Sequence, residues 1–117
     1  CGEFEAYAEG PEAYLAALLA VGQEGRTGNA PLCMAVGECG LDYDRLEFCP
    51  RDTQLQYFQR QLEGLAIPLA LPLFLHCRTE EAAKDLLELL RRYKDRLADP
   101  PGVVHSFDGT LSDALAF

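Results

Sequence analysis

Apolar residues along this chain follow two patterns, which are short continuous runs and longer stretches with helical spacing. Short runs are typical of buried strands, and spacings of three and four residues are typical of amphipathic helices. The predicted elements alternate in the order helix, strand, helix, strand, helix, strand, helix. Strands that alternate with helices indicate a parallel sheet with crossover helices, so the sequence predicts an α/β fold. The strands show no alternation of apolar and polar residues, which favours a sheet covered on both faces.

Three apolar runs are the predicted strands, and each stops at a residue that can bind a metal ion. The runs are about Cys33 to Gly37, about Pro72 to Leu75, and Val103 with Val104. Glu38, His76 and His105 follow these runs directly or closely. Parallel α/β folds bind their ligands at the C-terminal ends of the strands. We therefore expect these three side chains to converge at one edge of the sheet.

The predicted helices are bounded by glycine, proline and capping residues. The first begins at Gly10-Pro11 and closes at Gly22, and the second begins at Pro50 to Asp52 and ends or bends at Pro68. Thr79 and Thr110 are the predicted N-caps of the third and fourth helices. Two stretches, Cys1 to Gly10 and Gly22 to Pro31, are predicted to be loops because they lack a hydrophobic period.

The composition limits the classes of protein that need to be considered. A chain of 117 residues, of which 49% are hydrophobic, is typical of one small globular domain. The net charge of -9 argues against a surface that binds nucleic acid by phosphate neutralisation alone. Divalent cations inside a site can supply the missing positive charge, so a nucleic-acid enzyme stays possible.

Cysteine usage and hydropathy indicate a protein of the cytoplasm or nucleus. The five cysteines are an odd number without CxxC spacing, so we expect reduced thiols and no disulfide framework or thiolate zinc site. The sequence shows no signal peptide. No apolar run approaches the roughly 18 to 20 residues that a bilayer requires, so no membrane partner is expected.

Imidazole and carboxylate ligands together suit zinc, manganese, iron or nickel, and carboxylate oxygens also suit magnesium. Taken alone, a histidine after a strand is more often a structural residue, and a glutamate there is more often a cap. His76 and His105 are, however, the only histidines in the sequence, and both follow apolar strands. Together with Glu38 they favour a metal site, whose open position would hold a water of lowered pKa.

The neighbours of these residues have less specific interpretations. Asp42 is interpreted as a loop cap rather than a primary ligand. Arg45 and Arg78 are able to hold a phosphate, and surface ion pairs are an equally good interpretation. Cys39 and Cys77 are interpreted as neighbours of the ligands and not as ligands.

Three motifs in this order, VGECGLDYDR, LPLFLHCR and VVHSFDG, resemble the TatD-like metal-dependent deoxyribonucleases. The stretches CGEFE and FCPRDTQLQYF are similar to the eukaryotic TatD DNase domain proteins. The resemblance implies a TIM (β/α)8 barrel that binds two divalent metal ions, which are Mg, Mn or Zn. It also implies hydrolysis of DNA phosphodiester bonds, as a 3'-5' exonuclease that uses metal-activated water.

The resemblance assigns roles to five residues of this chain. Glu38 corresponds to the glutamate that bridges the two metals, and His76 and His105 correspond to ligands of the second metal. Asp42 corresponds to a catalytic residue that supports the site. Arg78 corresponds to a substrate-binding residue that contacts phosphate.

The sequence also departs from the family pattern. It contains no HxH motif and no late strand that ends in aspartate, and both supply ligands of the first metal. A complete barrel needs roughly 250 residues. Residues 1–117 are therefore predicted to be the central segment of the barrel, with strands four to six and without the N-terminal and C-terminal strands.

A second hypothesis follows from the same departures. The chain would then be a truncated, non-catalytic partial barrel with a weak metal half-site or a role in pairing with another chain. Three strands of an open barrel expose two sheet edges, which favour self-association.

Overall fold

A computed structural model describes residues 9–27 and 32–117 of this chain. Helices α1 to α4 are Pro11–Glu24, Arg51–Gln61, Glu80–Tyr93 and Leu111–Ala116, and strands β1 to β3 are Val36–Asp42, Leu73–Arg78 and Gly102–Val104. The predicted order of elements is confirmed. The predicted loop from Cys1 to Gly10 lies almost entirely outside the described residues, as do residues 28–31 of the second predicted loop.

The three strands form one parallel sheet in the order β1-β2-β3. The spatial order is also the order along the chain, and each strand is followed by a helix. The predicted α/β class with three consecutive parallel units is confirmed. β2 lies in the centre and pairs with β1 on one side and β3 on the other, so side chains of β2 contact residues from both neighbours.

The strand bounds predicted from the apolar runs are wrong for β1 and β2. β1 begins at Val36 and continues to Asp42, and β2 continues to Arg78. The apolar runs stop earlier because strand pairing uses backbone groups and continues through residues of any polarity. Glu38 and His76 therefore lie inside strands, whereas His105 directly follows β3 as predicted.

The sheet has one buried face and one partly open face. Leu73, Leu75 and Cys77 of β2 point into the core and are at most 3% exposed. The alternate residues, which include Phe74 and His76, are only partly buried. The expectation of a sheet covered on both faces is therefore wrong for β2 within the described residues.

Helices α2 and α3 cover the buried face of the sheet. The largest fully buried side chains come from both helices and from two strands, and they are Phe58, Leu41, Leu62, Leu73 and Leu86. Burial of each such side chain contributes about 1.5–3 kcal/mol relative to its exposure. This core makes the sheet a rigid support for the side chains on its open face.

The helix ends show which of the predicted caps and helix breaks the structure contains. Thr79 and Thr110 accept hydrogen bonds from the amides of Ala82 and Asp113, which confirms both predicted caps. α1 continues two residues past Gly22, whose backbone packs against Leu69. α2 widens into a π-helical segment, Leu62–Ala66, and a last turn, Ile67–Leu69, ends the helix one residue after Pro68.

The cysteines differ in state. Cys33, Cys39 and Cys77 are free thiols. Cys49 is disulfide-bonded, so the expectation that all cysteines are reduced is wrong at this position. None of the described helices has the length and hydropathy that a membrane crossing needs.

Candidate metal centre

A β-bulge places Glu38 on the open face of the sheet. Gly37 pairs with Phe74 and Cys39 pairs with Leu75, so Glu38 is an extra residue between two consecutive pairs. Gly37 and Glu38 are both exposed, and Cys39 returns to the core. A bulge of this kind re-aims a side chain and is common next to active sites. The peptide bond between Gly37 and Glu38 is cis.

Glycine at positions 37 and 40 allows β1 to approach β2 closely. A Cβ atom on Gly37 would lie 2.2 Å from the carbonyl oxygen of Phe74, and one on Gly40 would lie 2.0 Å from that of His76. Their φ angles of 158° and 147° are also rare for residues with side chains. The GECG sequence therefore matches the local backbone on both sides of Glu38.

His76 lies between two carboxylates on this open face. Its Nδ1 atom is 3.2 Å from Oε1 of Glu38, and its Nε2 atom is 3.1 Å from Oδ2 of Asp42. The three side chains are 32%, 45% and 27% exposed for His76, Glu38 and Asp42, respectively. The structure thus brings together two residues predicted to bind metal and one predicted to support the site.

Asp42 is both a cap and a partner of the histidine. Its Oδ1 atom accepts a hydrogen bond of 3.0 Å from the amide of Asp44, which starts a 3₁₀ helix at Tyr43–Arg45. The other oxygen faces His76. Each carboxylate oxygen therefore has a partner of its own, and the capping interaction fixes the direction of the second oxygen.

The ring of His105 contacts other side chains than the carboxylate that it was expected to join. Its amide donates a 2.8 Å hydrogen bond to Leu75, which extends the pairing of β3 by one residue. Its Nε2 atom is 3.1 Å from the hydroxyl of Ser106, and its ring lies 4.8 Å from the ring of Phe74. Phe74 precedes His76 by two residues on the same face of β2. The backbone brings His105 to the correct edge, while its ring contacts Phe74 instead of a carboxylate.

Arg78 makes an ion pair with Asp108, which follows β3. The surface ion pair that the sequence allowed for this arginine is therefore observed. Arg45 instead lines a cavity of about 480 Å³, together with Glu38, Asp42 and His76. The aromatic residues Phe48, Tyr57 and Phe58 also line this cavity, and the last two belong to α2.

Burial changes the acidity of the two cysteines next to the predicted ligands. Desolvation, with a smaller effect of the Glu38 charge, raises the pKa of Cys39 to about 12. Desolvation also raises the pKa of Cys77 to about 11, and nearby aspartates add to this effect. Both thiols are therefore protonated at neutral pH. Only the deprotonated thiolate form of cysteine binds a metal. This agrees with their interpretation as neighbours and not ligands.

The carboxylates of Glu38 and Asp42 and the imidazole of His76 are suitable ligands for a cation, but the three side chains do not converge on one point. Within residues 9–27 and 32–117 no group of three His, Cys, Asp or Glu side chains is arranged to hold one metal ion. The reason is geometric, because Glu38 and Asp42 contact opposite nitrogens of one imidazole. Glu38 and Nδ1 of His76 lie next to each other on one side of the ring, and Asp42 contacts Nε2 on the other side.

Sequence reasoning missed one residue of the site, which is Gln54 on α2. Its side-chain amide bonds the backbone of Asp42 at both the N–H and the C=O. The available signal was its position, four residues before Phe58 on the apolar side of the helix. A polar residue at such a position is buried only when it is hydrogen-bonded.

The sheet topology and the open-face side chains define a class of protein, the α/β barrels with sites at the C-terminal ends of parallel strands. A solved structure described as an uncharacterized amidohydrolase from Saccharomyces cerevisiae matches with a TM-score of 0.77 and 23% identity. The match covers 98% of this chain and 38% of that chain. At this identity the likeness concerns the fold alone, which is that of the matched 38% of that chain.

Sequence comparison identifies the family. The family model for the TatD related DNases matches residues 8–117, and the chain belongs to this family. A relative from Schizosaccharomyces pombe, "Deoxyribonuclease Tat-D", is 43% identical over 110 residues, which are 94% of this chain and 33% of the relative. A relative from Rahnella sp., "3'-5' ssDNA/RNA exonuclease TatD", is 48% identical over 83 residues, covering 71% of this chain and 29% of the relative. The chain thus spans about a third of the length of these curated relatives.

Proposed function

We propose that residues 1–117 are the central segment of a TatD-type deoxyribonuclease, without its N-terminal and C-terminal barrel strands. The proposed activity is metal-dependent hydrolysis of DNA phosphodiester bonds, as a 3'-5' exonuclease. The observation that carries this proposal is the row of contacts Glu38–His76–Asp42 on the open face of the sheet. The names of the relatives point to the same chemistry.

In this proposal each residue of the row has its own role. Glu38 and His76 would form a half-site that holds a divalent metal ion, which would be Mg, Mn or Zn, and Asp42 would keep the imidazole in orientation through its contact with Nε2. A bound divalent cation supplies Lewis-acid chemistry, since it lowers the pKa of water and offsets phosphate charge. Two such ions per complete site remain part of the proposal, with Glu38 as the residue shared between them.

His105 and Arg78 have proposed roles that require a rearrangement. For His105 to be the third ligand, its ring must turn from Phe74 towards the half-site. For Arg78 to bind a substrate phosphate, it must exchange Asp108 for that phosphate, and both are oxygen acceptors for a guanidinium. The proposed DNA substrate also implies a cytoplasmic or nuclear location.

Calorimetric titration of the 117-residue chain with Mn²⁺ tests the half-site. Glu38→Gln removes the charge of one proposed ligand at constant size, so we expect the affinity to fall about tenfold or more. Glu47→Gln is the matched control, because Glu47 is an exposed carboxylate on the following loop. Equal affinity of wild type and Glu38→Gln would contradict the assignment. The same titration with His105→Ala shows whether His105 takes part.

Metal-dependent release of nucleotides from single-stranded DNA tests the activity itself. We expect release by the wild-type chain in the presence of Mn²⁺ and its loss in Glu38→Ala. Release that is unchanged in Glu38→Ala would sink the nuclease assignment.

A second candidate function is a non-catalytic partial barrel that binds metal weakly or pairs with another chain. The observation in its favour is that the described residues contain no convergent three-ligand group. Self-association would use the exposed sheet edges of β1 and β3. Mn²⁺ binding without nucleotide release, in a chain that is folded by circular dichroism, would favour this candidate.

A further inference from the structure

Gln54 is the one polar side chain that is buried within the described part of the chain, with 7% of its surface exposed. It lies in the first turn of α2, and its amide group points at the end of β1. Every hydrogen bond that the structure shows for this side chain is to a backbone group. A buried amide without partners costs about 1–3 kcal/mol, so these bonds explain why a glutamine is tolerated there.

The amide of Gln54 binds Asp42 as a neighbouring strand would. Its Oε1 atom accepts from the amide of Asp42 at 2.8 Å, and its Nε2 atom donates to the carbonyl of Asp42 at 2.8 Å. The same Nε2 atom donates to the carbonyl of Cys49 at 2.9 Å. Two bonds to one residue fix both the position and the rotation of its backbone. The third bond attaches the loop between β1 and α2 to the same point.

The consequence reaches His76 through the side chain of Asp42. Two carboxylates face the two nitrogens of the imidazole at similar distances. Asp42 is held by Gln54 at its backbone and by Asp44 at Oδ1, whereas the side chain of Glu38 is more exposed. Asp42 is therefore the better-fixed of the two contacts, and its position determines the orientation of the ring. This orientation keeps the Nδ1 atom on the side of Glu38.

We propose that Gln54 is a positioning residue, which holds the Asp42 carboxylate against Nε2 of His76 and thereby fixes the orientation of the imidazole ring. It touches neither the proposed cation nor substrate and acts only through Asp42. This inference deepens the proposed function for its effect on metal binding. The hydrogen-bond arrangement itself is independent of any metal.

The simpler alternative is that Gln54 only fills space between α2 and the sheet. Gln54→Met separates the two roles, because methionine has a similar volume and forms none of the three hydrogen bonds. Gln61→Met is the matched control, since Gln61 lies two turns along the same helix and lines the same cavity. Gln54→Glu is a second variant, which keeps the size and the acceptor for Asp42 and loses the donors to both carbonyls.

The readout is the orientation of the His76 ring, measured by nuclear Overhauser effects between its carbon-bound protons and neighbouring side chains in the metal-free chain. We expect a single ring orientation in the wild type and in Gln61→Met, and a mixture of orientations in Gln54→Met and Gln54→Glu. An unchanged ring orientation in either folded Gln54 variant would overturn the proposal. A space-filling role alone would lower stability without moving this signal.

The wild type decides the question if neither Gln54 variant folds. A scalar coupling across the hydrogen bond, between the amide nitrogen of Asp42 and the side-chain carbonyl carbon of Gln54, is expected in the folded chain. Its presence supports the proposal, and its absence overturns it.

Mn²⁺ affinity then connects the inference to function. We expect a loss of about 10- to 100-fold in Gln54→Met, as for other residues that orient metal ligands. If the wild type binds no Mn²⁺, the proposed function fails, while the ring orientation of His76 and the coupling still decide the role of Gln54.

Discussion

At the scale of single residues, the candidate site depends on which reactive side chains are buried as well as on which are exposed. Cys39 and Cys77 flank the two central residues Glu38 and His76 in the sequence, yet both sulfurs point into the core. Strand alternation explains this arrangement, since neighbouring residues face opposite sides. The thiols are thereby removed from the face on which a cation would be held.

This separation predicts a difference in thiol reactivity. At about pH 8, alkylation by iodoacetamide requires an accessible thiolate. We therefore expect Cys33, which is partly exposed, to react in the folded chain, and Cys39 and Cys77 to react only after unfolding. Peptide mass spectrometry before and after addition of urea measures this. Equal early labelling of Cys39 and Cys33 would contradict the burial of Cys39.

The same thiols give a sign for the pH dependence of stability. The pKa of Cys39 rises from 9.0 to about 12 on folding, so the folded chain binds this proton more tightly than the unfolded chain. The corresponding stabilisation is complete below pH 9 and is lost as the pH rises towards 12. The free energy of unfolding should fall across this range, and less so in Cys39→Ala.

At the scale of elements, the close pairing of β1 with β2 depends on glycine. In Gly40→Ala the new Cβ would lie 2.0 Å from the carbonyl oxygen of His76, so the strands must separate where Glu38, Asp42 and His76 meet. We expect a loss of about 1–3 kcal/mol in the free energy of unfolding, measured with urea.

Gly64→Ala is the matched comparison for this substitution. A Cβ at Gly64 meets its nearest neighbour, a methyl group of Leu15, at 3.9 Å, which is ordinary van der Waals contact. Alanine also restricts the unfolded chain, so we expect no loss or a gain of about 0.4–1 kcal/mol. A similar loss in both variants would mean that the contact with β2 is not the cause in Gly40→Ala.

The elements also show why some features could be predicted and others could not. The apolar runs predicted the three strands and the amphipathic stretches predicted helices α1 to α3, because both patterns follow from burial. The bulge at Glu38 left no trace in that pattern, since it depends on how β1 pairs with a strand more than thirty residues away. Gln54 was missed for a related reason, because its partners are backbone groups, which are the same for any sequence.

At the scale of the whole molecule, the sequence predicted which residues reach one side of the sheet but not which of them touch. His76 lies on β2 and His105 directly follows the adjacent β3, so both lie towards the C-terminal ends of the strands, as parallel topology requires. Contact between side chains depends on rotamers, and stacking on Phe74 directs His105 away from the carboxylates. Topology was therefore accessible from the sequence, and the ligand set was not.

The outer edge of β3 carries a prediction about association. Val103 lies on this edge and is 56% exposed, and an unpaired apolar strand edge favours pairing with another chain. Val103→Lys should therefore shift the chain towards monomer in sedimentation velocity, because lysine is a common protective residue on edges. Leu115→Lys on the exposed helix α4 is the control. An equal shift in both variants would indicate association through the helix and not the strand edge.

The bulge has a consequence for how such a site is lost. Glu38 is the one residue of β1 without a counterpart on β2 in the paired register, and it is also the proposed shared ligand. Deleting this single codon would give a strand with continuous pairing, so the damaged gene would encode a sheet at least as regular as the original. We therefore expect a chain without this residue to keep the sheet and to lose the proposed shared ligand.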